Sequence, residues 1–461
     1  MSLHKPLLLC CTIFLVIGLV IWENATFIDS DRRHLTEEGT VTLSLFPLRP
    51  MEFVGFVAIV IALVISAGGG IGGGGLLVPI FILVLRFPVK HAVGLSNVTV
   101  FGGAIANTAL NASKRHPLVN RPLVDWNLLS MMEPLTMAGA LIGAELNKVL
   151  PDLAVVLMLV LLLGATAYRT FRKANQMYAA ETAEMENAKE LSTLLPLTNT
   201  SATCNEYGTN QSSDSISTEE SSFELVHLLE EEAKVPWNRV WQLSALFLTV
   251  VALNLVKGGG SHLSWLPFQV TCGSTAFIAL QIVNVVIIVL FALYVRHTLI
   301  EDTVKKLALS YEFAKGDVVW DDTNTWKYSC VCSLAGLVAG LFGIGGGIIK
   351  SPLLLEMGVH PAVASATSAT MILFTSFTAT TSYMVYGELN YQYATVCVLV
   401  GFFCTALGQG LMQLIMAKHN RNSYIAYSVA LVVGVSAVAM SLESILSSSQ
   451  GYSHRSGGMC P

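Results

Sequence analysis

The sequence predicts an all-α polytopic membrane protein: two four-segment repeats with Gly/Pro-broken helices, joined by two linking helices. Three observations predict it. Of 461 residues, 53% are hydrophobic and only 12% charged, with a mean hydropathy of +0.62. A soluble domain carries about 25% charge, so this chain has too little polar surface to cover a water-facing globule. A soluble enzyme, a nucleic-acid binder and a disordered scaffold are thereby excluded as classes. The second observation is a series of eleven apolar runs, each close to or above the length a spanning helix needs. The third is self-similarity at a long offset.

The elements follow in order. The run 7–22 has one charge before it, Lys5, and ends at Trp22-Glu23-Asn24-Ala25-Thr26. That pattern fits a signal peptide or signal anchor over 1–22, with a plain transmembrane helix as the competing account. A polar, extracytosolic segment spans 23–52. Runs 53–86, 91–111, 127–146 and 152–168 make the first repeat, 53–168. Residues 169–236 hold twelve acids against five Lys/Arg and are rich in Ser, Thr and Asn over 198–222. This reads as an acidic, mostly disordered loop with a short helix near 223–234. Within it, Glu190-x-x-x-Leu194-Leu195 and Glu224-x-x-x-Leu228-Leu229 resemble acidic dileucine signals that bind sorting adaptors. Two leucines on one helix face explain either copy equally well. Runs 239–256 and 271–295 are the linking helices of 237–327. Runs 328–356, 361–386, 391–417 and 424–446 form the second repeat, 328–447, before a tail at 448–461. Of nine cysteines, Cys272, Cys330, Cys332, Cys397 and Cys404 sit in apolar runs as small buried side chains. Cys330-x-Cys332 lacks a second pair nearby, so no metal site is expected, and no cofactor.

The repeat is carried by glycines and prolines. At an offset of 273, Gly70/Gly343, Gly72/Gly345, Gly73/Gly346, Gly74/Gly347, Pro79/Pro352 and Pro88/Pro361 coincide. Each Gly costs a helix interior about 1 kcal/mol relative to Ala, and each Pro about 3, so both helices should break. Broken backbone in a bilayer is tolerated only inside protein or beside a watery cavity. Two breaks in matching positions are the mark of a carrier whose site lies at mid-membrane. The N–H groups of the following half-helix make an anion site. Close helix packing through small residues is the competing account.

The candidate substrate-binding residues are therefore Gly72, Gly73, Gly74 and Pro79, with Gly345, Gly346, Gly347 and Pro352. To these the next segments add Ser96, Asn97, Ser365, Thr367 and Ser368, neutral groups that can hold an anion without a permanent buried charge. Such hydroxyls more often bond back to their own helix. Lys350, directly after the second Gly run, is a candidate to attract an anion, or to snorkel or pair with Glu356. Glu133 and Glu145 are candidate proton relays or interfacial residues.

Lys/Arg cluster at 114–121, 169–173, 296–327 and 418–421. If each broken segment folds back instead of spanning, all four clusters reach the cytosol and the repeats are inverted. If they span, the repeats are parallel and the last cluster lies opposite the rest. Sequons at Asn24, Asn199 and Asn210 test this.

At Ala67-Gly-Gly-Gly-Ile-Gly-Gly-Gly-Gly75 through Pro79, and Gly340-Leu-Phe-Gly-Ile-Gly-Gly-Gly347 through Pro352 and Ala364-Ser-Ala-Thr-Ser368, the chain resembles the TauE/SafE permeases. The resemblance covers both repeats, about half the chain, and the leader and long loop look like the eukaryotic members. It implies a multi-pass transporter, not an enzyme, for small sulfur-containing or related organic anions such as sulfite or a sulfonate. Its partners would be that small anionic substrate and the lipid bilayer of the plasma membrane or an endomembrane, with no nucleic acid. Lys350 departs from the apolar residues usual at that place. No nucleotide loop G-x-x-x-x-G-K-[ST] is present, so the chain has no ATP-driven engine of its own. Neither HExxH nor GxSxG occurs. The alternative class is a membrane scaffold or trafficking protein that uses the permease fold while its acidic loop recruits partners.

Overall fold

The computed structural model describes residues 50–67, 73–194, 217–257, 274–314, 316–419 and 423–449. The leader 1–22, the segment up to 49, Gly72, the three sequons Asn24, Asn199 and Asn210, and the tail beyond 449 lie outside the described residues. Among the described residues there are thirteen helices and one isolated bridge, Arg115 to Pro122. In chain order they are α1 Pro50–Ala67, α2 Gly74–Leu83, α3 Val89–Ala112, α4 Trp126–Val149, α5 Asp152–Leu194, α6 Ser217–Glu232 and α7 Trp237–Lys257. Then come α8 Thr275–Ala308, α9 Asp322–Phe342, α10 Gly347–Glu356, α11 Pro361–Val385, α12 Tyr391–His419 and α13 Ser423–Ser449. Eight of them, α1, α3, α5, α7, α8, α9, α11 and α12, are long and apolar enough to cross a membrane. The protein is an all-α, multi-pass integral membrane protein.

The helices begin where the sequence supplies acceptors for orphan N–H groups. Asp125 accepts from Asn127 (3.0 Å) and Leu128 (3.1 Å) to open α4. Asp321 opens α9 through Asn324 at 2.6 Å, and Ser274 opens α8 through Phe277 at 3.2 Å. Two short helices begin differently: α2 and α10 start from Gly73 (φ 75°) and Gly346 (φ 73°), both left-handed. Each is ten residues long with its proline sixth, at Pro79 and Pro352. The apolar runs 53–86 and 328–356 are thus two helices each, and each repeat has five helices, α1–α5 and α9–α13.

Two further differences concern the acidic loop. Helix α5 continues for 43 residues to Leu194, so 169–194 is helix rather than irregular chain. No Gly or Pro interrupts that stretch, and its outer part is held by Asn175 accepting from Tyr427 Oη (2.5 Å) and Glu181 from Ser423 Oγ (2.6 Å). Helix α6 starts at Ser217, before the expected 223.

The broken segments fold back. Gly55, early in α1, lies against Leu85, just after α2. Gly316, before α9, lies against the backbone of His360, before α11. The chain therefore leaves each break on the side it entered. Equivalent helices run in opposite directions: along α3 and α11, Gly94 meets Tyr383 while Phe101 meets Phe377. Along α5 and α13, Glu181 meets Ser423 while Ala167 faces Gly434. The repeats are inverted. Contacts also exchange between them. Helix α4 runs parallel to α9, Thr136 at Gly336 and Ala140 at Gly340, and α12 runs parallel to α1, Tyr393 at Glu52 and Gly408 at Val64. Gly139, Gly143, Gly336 and Gly340 form the seam of α4 and α9. A Cβ on any of them would fall 2.0–2.2 Å from a facing carbonyl oxygen. This is small-residue packing, but at glycines other than those of the breaks.

One end of the molecule gathers the basic clusters. Arg121 pairs with Asp317, Lys306 with Glu232, Arg239 with Asp302 at 2.5 Å, and Arg296 with Asp322. Lys418 ends α12 and the basic part of α5 lies beside the start of α13, at this same end. The positive-inside rule assigns it to the cytosol. Glycosidase treatment is therefore expected to give no mobility shift traceable to Asn199 or Asn210. Sugar on either would reverse the orientation.

Candidate functional site

The two breaks meet. A Cβ on Gly74 would lie 2.6 Å from the Cα and carbonyl carbon of Ile344, and one on Gly75 would lie 2.7 Å from Ile348. Gly343 closes α9 with its N–H on Ala339 O at 3.0 Å, and its φ of 70° turns the chain away. Gly345 (φ 66°) and Gly346 continue the left-handed path into α10. Gly73 O accepts from Leu76 and Leu77, and Gly346 O from Ile349 and Lys350, so each half-helix starts at the crossing. Their first N–H groups point outward from the N-terminus, where an anion is favoured.

Helix α3 lies along this crossing. Ser96 Oγ donates to Gly343 O at 2.6 Å. Asn97 is fully buried, and both amide atoms lack a hydrogen-bond partner. It shares a helical face with Val93 and Val100, which touch Gly343 and Gly345, and with Gly94, which touches Tyr383 of α11. Ser368 of α11 is likewise buried with an unpartnered hydroxyl. A buried amide without a partner costs about 1–3 kcal/mol, and Asn107, farther along the same helix, is in the same state.

Lys350 lies one turn into α10 and is fully buried. Its Nζ donates to Glu133 Oε2 of α4 at 2.8 Å and to Thr375 Oγ1 of α11 at 2.6 Å. Thr375 in turn bonds Glu133. Both side chains of the pair have 0% exposure. Lys350 is therefore matched in charge, and by Glu133 rather than Glu356, which is exposed at the end of α10. Glu133 is not interfacial.

The remaining candidates divide. Pro79 is buried in α2 and Pro352 half-buried in α10. Gly347 is buried as the first residue of α10. Thr367 Oγ1 accepts from Asp125 N at 3.0 Å, so it holds the start of α4 and not the crossing. Ser365, half-buried two residues earlier, lies toward the same end. Of the other hydroxyls on α11, Thr370, Ser376, Thr378, Thr380 and Ser382 bond back to their own helix. The open cavity expected beside the breaks is not met at Gly74, where backbone touches backbone. Among the described residues, two cavities lie toward the ends. One of about 270 Å³ is lined by Glu145, Lys148, Phe277, Gln281 and Tyr386. One of about 40 Å³ lies by Arg121, Asp125 and Asp317.

Both ends are held by ions the sequence did not pair. Glu388, in the α11–α12 turn, joins Lys148 and His91. Lys257 joins Glu145 and donates to Gln281 at 2.8 Å. At the basic end, His116 Nδ1 accepts from Leu118 N (3.1 Å) and Val119 N (3.3 Å), with the His360 ring 5.7 Å away. Burial first, then Arg121 and His360, hold the His116 pKa below its ordinary 6.5 against the opposing pull of Asp317. An accepting nitrogen must be unprotonated. The stability this turn contributes is thus present above the unfolded pKa and is lost as pH falls through the folded one. Amide-exchange protection at Leu118 and Val119 is expected to drop only below the ordinary 6.5, as pH falls through the lowered folded pKa. Constant protection on acidification would rule the linkage out.

Inverted repeats, each broken at a glycine-capped half-helix with the breaks meeting inside the protein, define a membrane transporter. The chain belongs to the TauE/SafE family: the family model described as "Sulfite exporter TauE/SafE" matches residues 7–206 and 224–454. The Arabidopsis thaliana protein named "Sulfite exporter TauE/SafE family protein 5" is 28% identical over 380 residues, 82% of this chain and 80% of its own. "Sulfite exporter TauE/SafE family protein 3" of the same plant is 28% identical over 379 residues, 81% of this chain and 74% of its own. "Probable membrane transporter protein YunE" of Bacillus subtilis is 34% identical over 100 residues, 20% of this chain and 37% of its own. No solved structure gives a significant match.

Proposed function

We propose that this protein is a secondary permease for small sulfur oxyanions, sulfite or a sulfonate, that works by alternating access. The observation that carries the reading is the unpartnered amide of Asn97, buried beside the place where two half-helix N-termini cross. Amide donors and helix N-termini suit an oxyanion, since they offer hydrogen bonds without a fixed buried charge. The names of the plant relatives support sulfite in particular. The tight contact of Gly74 on Ile344 fits a closed arrangement, which one repeat rocking against the other would open.

Purified protein is expected to gain thermal stability from the substrate. Saturation at one hundred times Kd contributes about 2.7 kcal/mol. A panel of sulfite, sulfate, taurine and methanesulfonate tests this, with uptake of the stabilising anion into proteoliposomes as the second readout. A panel that leaves the melting curve unmoved and gives no flux sinks the reading. The scaffold alternative rests on the two dileucine-like signals; Leu195 of the first lies outside the described residues, and the second is Glu224-x-x-x-Leu228-Leu229. There Leu229 is exposed on α6, but Leu228 is partly covered, and an adaptor would need both.

A further inference from the structure

The Lys350–Glu133–Thr375 cluster is more than packing, because the chain also contains its uncharged counterpart. The offset of 273 takes Lys350 to Leu77 and Thr375 to Gly102. Gly102 packs on the backbone of Val398 in α12, as Thr375 packs on Glu133 in α4. Among the described residues the same junction carries no ion pair in the other repeat, where Gly103, next to Gly102, meets the neutral hydroxyl of Thr405. A buried ion pair seldom stabilises more than apolar residues would. Its presence in one repeat only, directly beneath the α10 N-terminus, asks for another reason.

The charges offer one. The Gly346 cap lies close to Lys350, with a built Cβ 3.4 Å from Cε. While Glu133 is ionised, its carboxylate satisfies Lys350, and an arriving anion meets a neutral pair. When Glu133 takes a proton from water, Lys350 becomes an unmatched cation one turn inside the half-helix that faces the crossing. An oxyanion at the α10 N-terminus then restores neutrality. We infer that Glu133 is a proton-coupling site: one proton on its carboxylate accompanies one substrate anion bound above Lys350. No bond to substrate forms or breaks; the proton and the anion enter together and leave together. The inference rests on the permease reading and names its coupling ion.

The surroundings leave Glu133 few other partners. From α10 it faces Lys350, and from α11 Thr375, whose single hydroxyl proton is shared between Glu133 and Met371 O. Cys332 of α9 is the other ionisable side chain felt at this cluster. The faces of α7 and α8 in the same apolar cluster carry Leu246, Val250 and Ile288.

The test is the pH dependence of methanesulfonate binding to the purified full chain, because this probe keeps one charge throughout. Wild-type affinity is expected to fall about tenfold per pH unit on the alkaline side, the slope for one linked proton. Glu133→Gln should bind with an affinity independent of pH. A flat wild-type profile overturns the coupling site and leaves the permease reading standing. The same slope in Glu133→Gln overturns it too, by moving the proton elsewhere. Absence of methanesulfonate binding by both proteins at every pH overturns the inference, and the permease reading falls with it where the anion panel above also gives neither stabilisation nor flux. If Glu133→Gln does not fold, Thr375→Val removes the hydroxyl that bonds both Lys350 and Glu133 and keeps both charges. It should displace the midpoint of the binding curve, and an undisplaced midpoint counts against Glu133.

Discussion

Lys350→Met is expected to lower the stability of the detergent-solubilised protein by about 3–5 kcal/mol, the cost of stripping one partner from a buried pair. The physical reason lies in the complete burial of both side chains. With Lys350 gone, the Glu133 carboxylate keeps only Thr375 and must either remain charged in a dry interior or take up a proton. The double variant Glu133→Gln/Lys350→Met removes both charges and should recover most of the loss, because Leu77 and Gly102 close the equivalent junction without ions. Thermal unfolding of the four proteins, wild type included, gives the coupling energy directly. A single variant as stable as wild type would mean that the pair is reached by water and is not the buried unit described above.

Gly74→Ala should have the second large effect. Its new Cβ would sit 2.6 Å from the Ile344 backbone, and backbone cannot rotate out of the way as a side chain can. Overpacking of this kind costs about 1–3 kcal/mol, and here it also wedges apart the two half-helices on which transport is proposed to depend. Loss of flux beyond the loss of folded protein is the expected outcome. Gly164→Ala is the control: nothing lies within 4 Å of its added carbon, and Ala favours a helix interior by about 1 kcal/mol over Gly. Equal flux in Gly74→Ala and Gly164→Ala would remove the crossing from the mechanism.

The glycine runs were legible because backbone cost is local. A left-handed cap needs Gly whatever packs around it, so Gly73 and Gly346 announced themselves. Inversion was half legible: the basic clusters agreed with it only if the broken segments folded back, which Gly55 on Leu85 shows them to do. The partner of Lys350 was not. Glu133 lies 217 positions away on another helix, and the nearby Glu356 was the natural local guess. The signal that could have found it is position: Glu133 and Lys350 lie inside their apolar runs while Glu145 and Glu356 lie at the ends of theirs, so the two inner charges have to neutralise each other. Thr367 misled for the opposite reason. Hydroxyl-rich sequence looks alike whether it lines a site or bonds a neighbouring N–H, as it does at Asp125.

The parallel seam of α4 and α9 bears on how the protein is made. Its glycine-lined halves lie nearly two hundred residues apart in the chain, so a ribosome completes the first repeat long before the second emerges. Until then Gly139 and Gly143 lack the helix they pack on in the finished protein, and α1 lacks α12. The full packing of either half therefore waits for the other.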